Sequence, residues 1–364
     1  MLHPENDDQY KGLAVNKGIP QPPSVNPRFV KKKSLGLQTS GFYVEEILKG
    51  NVTVLSQAIT LVESNNTAHY QVAQEIIEKC LPYSNDSLRL GITGVPGVGK
   101  STFIEAMGLH ITRGGEKLAV LAIDPSSERS KGSILGDKTR MERLSQEDNA
   151  YIRPSPSAGT LGGVARKTRE TVILCEAAGY KNIFIETVGV GQSETAVHSM
   201  VDFFLLLMLA GAGDELQGIK RGIMEMADAI TINKADGNNI NKAKLARVSY
   251  QNALHLFPPT PSGWEPKVVT CSAYENTGIP EIWDMINEYR DLANNNSYFM
   301  HRRQEQAKYW MYESINEQIK QNFYNNAKIS EMIKEVENDV LNEKVSSFVA
   351  AKELLDTYFD VLNK

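Results

Sequence analysis

Short, continuous apolar runs alternate with longer amphipathic segments through the middle of the chain. Six of these runs are predicted to be strands: Leu88–Gly94, Leu118–Asp124, Asn182–Gly189, Asp202–Leu209, Asp228–Asp236 and Lys267–Ala273. They are continuous rather than alternating, which is typical of strands that are buried on both faces. Helical patterns separate them and imply right-handed crossover connections. The pattern therefore predicts an α/β fold with a mostly parallel central sheet flanked by helices.

The flanking segments have a different character. Residues 1–40 are rich in Pro, Asn and Lys and lack apolar periodicity, which predicts a mobile tail. Apolar residues recur at helical spacing over 41–86, which predicts a helical N-terminal extension. Residues 295–364 contain no glycine, and their periodicity predicts two or three helices. We expect this last segment to be a helical C-terminal arm that packs on the central domain, residues 87–294, or forms a dimer.

Composition and charge narrow the class of protein. The chain has 364 residues and a formal net charge of -5, which argues against non-specific binding to nucleic acid. The longest apolar run is shorter than the roughly 18 residues that a membrane-spanning helix needs, and the acidic N-terminus does not resemble a secretory signal. The cysteines are far apart and form no CxxC pair, which favours a cytoplasmic location and no cysteine-only metal site; they are Cys80, Cys175 and Cys271.

The clearest motif follows the first predicted strand and precedes a helical pattern. Residues 94–101 read GVPGVGKS, which matches the phosphate-binding loop GxxxxGK[ST]. Its glycines allow the backbone to wrap so that successive N–H groups point at phosphate oxygens. We expect Lys100 to reach the β- and γ-phosphates and the Ser101 hydroxyl to bind Mg²⁺. The nucleotide-binding residues expected here are Gly94, Val95, Pro96, Gly97, Val98, Gly99, Lys100, Ser101 and Thr102.

A second motif, NKAD, follows the fifth predicted strand and favours guanine as the base. Asp236 can accept hydrogen bonds from N1–H and the 2-amino group of guanine, and adenine offers neither donor at those positions. Hydrogen bonds to charged groups contribute roughly 1.5–3 kcal/mol each, so two of them can discriminate strongly. Asn233 and Lys234 complete this motif. CSA at the next strand end adds Ser272 and Ala273 as expected base contacts, although an ordinary strand end is the alternative there.

Acidic residues after other strands are candidates for the Mg²⁺ site. ETVGVGQSE places Glu186 at a strand end and Gly189 three residues later. A carboxylate there can hold Mg²⁺ through water, and the Gly189 amide can bind the γ-phosphate and release it on hydrolysis. Asp124 and Asp137 lie between the phosphate loop and this strand and can also reach Mg²⁺. A surface position is the alternative for Asp137.

These residues and several longer motifs together resemble a known family. The chain resembles the MeaB/ArgK group of P-loop GTPases of the SIMIBI class, the bacterial relatives of the mitochondrial methylmalonyl-CoA mutase-associated GTPase. The resemblance covers nearly everything from about Tyr43 to about Leu292. It is carried by the motifs GVPGVGKS, AIDPSSERSKGSILGDKTRM, RPSPSAGTLGGVARKTRE, ETVGVGQSE, AGAGDELQGIKRGIMEMAD and NKAD.

The resemblance implies a GTP-hydrolysing chaperone of adenosylcobalamin-dependent methylmalonyl-CoA mutase or a related acyl-CoA mutase. Such a protein couples its GTPase cycle to cofactor loading, protection or reactivation, and adenosylcobalamin belongs to the partner enzyme. The resemblance also implies a homodimer formed through the C-terminal arm, and a mobile segment over Gly213–Lys220 that signals to the mutase. The residues expected in catalysis are Lys100, Glu186, Gly189, Gln192 and Lys220, and those expected at Mg²⁺ are Ser101, Asp124, Asp137 and Glu186.

The sequence also bears on the hydrolysis rate. Val190 follows Gly189 at the position where many signalling GTPases carry a water-orienting glutamine, and Gln192 is displaced from it. We therefore expect slow intrinsic hydrolysis that a partner stimulates by ordering the loops.

Three other functions compete with the chaperone role. One is an ATP- or GTP-driven, kinase-like accessory protein of basic amino-acid transport, which the guanine motif and the lack of a membrane segment disfavour. A nickel-delivery GTPase would need a His-rich tract or a Cys pair, whereas the chain has scattered histidines. A structural protein with a vestigial nucleotide site would not need the intact Lys100, Ser101 and Asp236.

Overall fold

A parallel sheet of seven strands forms the centre of the computed structural model. The structure describes residues 37–64, 66–123, 141–154, 161–187, 193–211 and 221–362. The strands lie side by side in the order β3-β2-β4-β1-β5-β6-β7, and every paired neighbour is parallel. Their bounds are β1 Leu88–Gly94, β2 Leu118–Ile123, β3 Ala150–Arg153, β4 Asn182–Thr187, β5 Phe203–Leu209, β6 Ala229–Asn233 and β7 Lys267–Thr270.

Helices precede the sheet, connect its strands and follow it. Those before β1 are α1 Ser40–Leu48, α2 Val52–Glu63 and α3 Thr67–Cys80. Those between and directly after the strands are α4 Lys100–Arg113, α5 Leu161–Ala177, α6 Ser193–His198, α7 Arg221–Glu225, α8 Ile240–Leu254 and α9 Ile279–Asn295. The C-terminal helices are α10 Tyr298–Tyr324, α11 Ala327–Leu341 and α12 Ser347–Leu362. The predicted α/β class with helical extensions at both ends is confirmed.

The central strands are apolar along their whole length because their side chains are buried on both faces of the sheet. In β1, β4 and β5 every residue but the last of β5 is buried, so apolar side chains are needed on both faces. The sequence predicted six strands and missed β3. This strand has four residues at the sheet edge, and only Tyr151 and Ile152 are buried. So short a run carries no recognisable period.

The N-terminal helices begin at side-chain caps and pack through apolar faces. Asn51 Oδ1 accepts hydrogen bonds from the backbone N–H groups of Thr53 and Val54 at 3.1 and 3.3 Å, which fixes the start of α2. Leu55 and Ile59 on α2 are fully buried. The end of α2 is tied to α5, where Lys167 Nζ donates to a backbone carbonyl of α2 at 2.7 Å. This helical layer therefore continues into the central domain.

The C-terminal helices are attached to the sheet at one end and exposed at the other. The first half of α10 buries Phe299, Arg303, Gln306 and Trp310 against the base of the sheet. Beyond it, α11 and α12 each bury few side chains. In the part of the chain that the structure describes, no helix combines the length and apolarity needed to cross a bilayer.

Candidate nucleotide-binding site

The predicted site residues gather at the carboxyl edge of the sheet. Because all strands are parallel, β1, β4, β6 and the turn after β7 end at the same edge. Strands β2, β3 and β4 lie on one side of β1 and β5, β6 and β7 lie on the other, so the direction of the strand order reverses between β1 and β5. Parallel α/β sheets bind ligands in the crevice that such a reversal creates.

The phosphate loop connects β1 to α4 with glycines that close packing and backbone geometry require. A Cβ added to Gly94 would lie 2.5 Å from the backbone oxygen of Leu207 in the neighbouring strand, so no larger residue fits. Gly99 has φ +91° and stands immediately before the first residue of α4. The loop therefore delivers Lys100 and Ser101 to the first turn of a helix, where the unpaired N–H groups lie.

Lys100 folds back over the loop from which it starts. Its Nζ donates a 2.9 Å hydrogen bond to the Gly94 carbonyl. Burial lowers the pKa of this lysine, while the charges of Glu186 and Glu194 act in the opposite direction. A phosphate oxygen could replace the carbonyl as acceptor with a small movement of the side chain. Ser101 beside it is half-buried and Thr102 is exposed.

Two carboxylates stand near this lysine. Glu186 is 7% exposed and lies in β4 in register with Ile92 of β1 and Ala122 of β2, close to the strand end. Glu194 is 1% exposed in α6. The sequence analysis singled out Glu186 and assigned no role to Glu194. Nothing in the local pattern distinguishes Glu194 from a surface acid, because it comes near Lys100 only when α6 packs beside β1 and β4 in the folded chain.

Asn233 links the NKAD motif to two other loops. Its Nδ2 donates to the Val98 carbonyl of the phosphate loop at 2.8 Å, and its Oδ1 accepts from the Ala273 N–H at 3.1 Å and the Cys271 thiol at 3.4 Å. Lys234, at φ +57°, donates from Nζ to the Gly97 carbonyl at 2.7 Å. The motif is thus tied both to the phosphate loop and to the turn after β7.

Asp236 is held by the same turn. Ser272 Oγ donates to Asp236 Oδ2 at 2.5 Å and accepts from the Glu275 N–H at 3.1 Å. Ser272 is fully buried, whereas Asp236 is half-buried at the mouth of the site. The serine therefore fixes the orientation of the carboxylate that is expected to read the base.

Some predicted site residues lie outside the described residues. They are Asp124, Asp137, Gly189, Val190, Gln192 and the segment Gly213–Lys220 with Lys220. The described residues that converge at the carboxyl edge are the phosphate loop, Glu186, the NKAD residues, Ser272 and Ala273.

A cavity of about 670 Å³ opens at the opposite, amino edge, lined in part by His198, Asp228 and Arg302. His198 packs edge-on against the ring of Phe204 at 5.6 Å and does not reach the nucleotide loops. Volume alone does not make this cavity the reaction site, because the phosphate loop and the base motif lie at the other edge.

Comparisons with known proteins identify related GTPases. The family model described as "Methylmalonyl Co-A mutase-associated GTPase MeaB" matches residues 55–328. A probable GTPase of Mycobacterium tuberculosis is 48% identical over 307 residues, which cover 84% of this chain and 91% of the relative. GTPase ArgK of Escherichia coli is 43% identical over 321 residues, covering 87% and 97%. The mouse methylmalonic aciduria type A homolog, a mitochondrial protein, is 46% identical over 322 residues, covering 86% and 78%.

One solved structure extends the likeness to the fold. The crystal structure of a LAO/AO transport system kinase is 37% identical, has a TM-score of 0.70, and covers 88% of this chain and 97% of its own. Both the family description and the relatives' names point to hydrolysis of GTP by a P-loop fold.

Proposed function

The chain belongs to the MeaB family of methylmalonyl-CoA mutase-associated GTPases and hydrolyses GTP, and on this premise we propose that it is a chaperone of an adenosylcobalamin-dependent acyl-CoA mutase. Its GTPase cycle would load, protect or reactivate the cofactor site of that enzyme, with methylmalonyl-CoA mutase as the first candidate. The observation that carries the proposal is the family match over residues 55–328, because the family is described by its association with this mutase.

The proposed nucleotide site uses the residues at the carboxyl edge of the sheet. Lys100 binds the β- and γ-phosphates after exchanging the Gly94 carbonyl for phosphate oxygens. Asp236, oriented by Ser272, reads the guanine base. The proposed contacts are Gly94–Thr102, Asn233, Lys234, Asp236, Ser272 and Ala273, and the proposed catalytic residues remain Lys100, Glu186, Gly189, Gln192 and Lys220.

The donor set fits a hard cation such as Mg²⁺. Ser101 offers a hydroxyl in the first turn of α4, and Glu186 offers a buried carboxylate in the adjacent strand. Mg²⁺ prefers oxygen ligands and usually binds through one or two carboxylates together with substrate phosphates. We assign Ser101 and Glu186, with Asp124 and Asp137, as the residues that would hold it. Bound there, the ion would neutralise charge on the phosphates.

The C-terminal arm is proposed to form a homodimer. On α10, α11 and α12 large apolar side chains are exposed, among them Ile319 at 56%, Leu341 at 79% and Phe348 at 87%. A groove of about 430 Å³ among α10, α11 and α12 is lined mainly by apolar side chains, including Leu355. Apolar surface of this kind marks an interaction site. We expect Leu355→Glu to give monomers in sedimentation, while Leu245→Glu on α8, also at an exposed apolar position, leaves the assembly unchanged.

The proposed division of the chain is a tail over 1–40, an extension over 41–86, the GTPase domain over 87–294 and the arm over 295–364. A cytoplasmic location is proposed with it. The described cysteines are all buried free thiols, which suits a reducing compartment.

The chaperone role is tested by single-turnover cleavage of GTP with and without a purified mutase. We expect the mutase to accelerate cleavage. Val190 follows Gly189 where many signalling GTPases carry a water-orienting glutamine, and a bound partner can supply the missing catalytic group. Co-purification with the mutase should depend on a non-hydrolysable GTP analogue. Equal cleavage rates with and without every acyl-CoA mutase tested would reject the proposal.

The alternative is an accessory role in transport of basic amino acids. It is favoured by the names of two relatives, GTPase ArgK and the LAO/AO transport system kinase. The same cleavage assay separates the two functions if a purified amino-acid-binding transport component replaces the mutase. Stimulation by that component alone would favour the alternative.

A further inference from the structure

Three arginines from distant parts of the chain line one small cavity at the amino edge of the sheet. Arg89 comes from β1, Arg169 from α5 and Arg303 from α10, and the cavity has a volume of about 220 Å³. Its other polar lining side chains are neutral: Ser84, Asn85 and Gln304. No aspartate or glutamate is among the described residues that line it.

Two of the three arginines carry their own counter-ions behind the cavity wall. Arg89 binds Glu176 through Nε and Nη2 at 2.9 and 3.0 Å. Arg303 binds Asp202 through Nε and Nη2 at 2.9 and 2.7 Å. Both acids have side chains that are only 2% exposed. These two guanidinium groups are therefore compensated, although both residues line the cavity.

Arg169 differs because no carboxylate compensates it. Its Nη1 donates to the backbone carbonyl of Gln306 at 3.0 Å, and its guanidinium lies 5.9 Å from the ring centroid of Trp310. Within the described part of the chain Arg169 forms no ion pair. The carboxylate whose charge affects its pKa, Glu176, is already bound to Arg89. Burial, together with the charge of Arg89, lowers the pKa of Arg169 to about 10. A half-buried cation is thus left with a net positive charge at the cavity.

We propose that this cavity binds a small oxyanion, a phosphate or a carboxylate. Guanidinium groups present planar pairs of N–H donors that match the oxygens of both anions. The volume is below the roughly 300–1,000 Å³ of pockets for drug-sized ligands, so a whole nucleotide does not fit. The lining supplies cationic donors and neutral polar groups and, in its described part, no repelling acid.

The site is separate from the phosphate loop and joins parts that the loop does not touch. Arg89 stands five positions before Gly94 on the same strand, about 16 Å away at the rise of an extended strand. Arg169 belongs to the α5 layer and Arg303 to α10, which carries the C-terminal arm. An anion bound between them links α5 to α10 and strengthens the attachment of that helix to the sheet.

The test uses the full chain saturated with a non-hydrolysable GTP analogue, so that the phosphate loop is already filled. Inorganic phosphate and sodium acetate are titrated separately at constant ionic strength set by chloride. The readouts are the thermal midpoint for both anions and ³¹P NMR for phosphate. We expect a saturable rise in midpoint with at least one anion, because a ligand that binds only the folded state stabilises it.

The variant Arg169→Gln should weaken the apparent affinity at least tenfold. Arg166→Gln is the matched control: Arg166 lies one turn earlier on α5, 3.5 Å from Glu170 and over the ring of Tyr70, and it does not line the cavity. The Arg166→Gln variant should bind the anion with the same affinity as the unchanged chain. Retained binding of the GTP analogue shows that each variant is folded.

Absence of saturable binding by both anions, or equal affinity in Arg169→Gln and the unchanged chain, would overturn the proposal. If Arg169→Gln does not fold, Arg169→Lys keeps the charge and removes the forked donors, and it should still weaken the affinity for the anion that binds. The experiment contains no mutase, so its outcome is independent of the proposed chaperone role.

Discussion

The two edges of the central sheet are built from different kinds of hydrogen bond. At the carboxyl edge, side chains donate to loop carbonyls: Lys100 to Gly94 and Lys234 to Gly97. At the amino edge, buried charges pair with each other, as Arg303 does with Asp202. Arg303 also donates to the carbonyls of Asn85 and Ser87, at 2.7 and 2.6 Å, so its donors are well used.

This difference indicates that residues at one edge of the sheet serve nucleotide binding and residues at the other edge serve stability. A lysine bonded to a loop carbonyl can exchange it for a phosphate oxygen at little cost, because the charged oxygen is the stronger acceptor. A buried ion pair cannot exchange one partner for a ligand in this way, because removing one partner leaves the other charged and desolvated. Changes at the carboxyl edge should therefore alter nucleotide chemistry, and changes at the amino edge should alter stability. The predictions below test that contrast.

The largest effect is expected from Asp202→Asn. Burial alone would raise the pKa of Asp202, but Arg303 and Arg89 outweigh it and hold the pKa below its usual range. Loss of this charge leaves the buried guanidinium of Arg303 without its carboxylate partner, which should lower the free energy of unfolding by about 3–5 kcal/mol. Urea unfolding measures it. The control Glu288→Gln, which breaks the exposed pair with Lys267, should leave the midpoint unchanged.

The contrast between the two edges would fail if Asp202→Asn also lost affinity for GTP at urea concentrations at which this variant is still folded. We expect its affinity to match that of the unchanged chain, because Asp202 lies immediately before β5, at the edge away from the phosphate loop.

The converse change is Lys100→Ala. Removing a preorganised donor from the developing charge on the phosphates should slow single-turnover GTP cleavage by about 10²–10³. The urea midpoint should stay close to that of the unchanged chain, since the lost contact is one hydrogen bond to Gly94. Lys181→Ala, at the other edge, is the matched control and should cleave GTP normally. A large loss of stability in Lys100→Ala would contradict the division between the edges.

The amino edge should also show opposed pH dependences. Burial raises the pKa of Asp228 to about 6, against the charge of Arg302. Asp228 therefore adds stability below its unfolded pKa near 3.9, and this is lost as the pH rises through about 6. Burial lowers the pKa of His198 to about 4, helped by Arg302. His198 therefore adds stability above its unfolded pKa near 6.5, which is lost as the pH falls toward 4.

In the unchanged chain the two contributions nearly cancel between pH 4 and 6. In Asp228→Asn the free energy of unfolding should rise with pH across this window, and in His198→Gln it should fall, each by about 2 kcal/mol relative to the unchanged chain. Urea unfolding at pH 4.5 and 6.0 measures both. Shifts of the same sign in the two variants would show that these groups do not titrate as the burial argument requires.

The smallest effect concerns a bond inside the sheet. Thr187 Oγ1 donates to Thr93 Oγ1 at 2.8 Å, and both residues are buried. Thr187→Val should lower the free energy of unfolding by about 1–2 kcal/mol because it leaves Thr93 unsatisfied, whereas the double valine variant should be nearly neutral. Thr231 is an internal control: its buried hydroxyl has no partner in the described structure, so Thr231→Val should be neutral or stabilising.

The sequence alone determined six of the seven strands, the parallel class of the sheet and the places of the phosphate-loop and NKAD motifs directly after their strands. These features depend on local patterns: continuous apolar runs, a glycine-rich turn before Lys100, and a four-residue motif ending in Asp236. Each pattern is complete within a few residues, so chemistry and backbone geometry can be inferred before folding is known. The pattern failed at β3, where a short edge strand buries too little to show a period.

Only the tertiary structure decided which distant residues meet. Nothing near Glu194 marks it as a partner of Lys100, and nothing near Arg169 shows that it joins Arg89 and Arg303 around a cavity. Such contacts join segments more than two hundred residues apart, as Arg303 and Ser87 are. A charged residue on a helix looks the same in sequence whether it faces water or a buried partner. The physical reason is that burial and electrostatic pairing are properties of the packed chain, whereas periodicity and turn chemistry are properties of its local order.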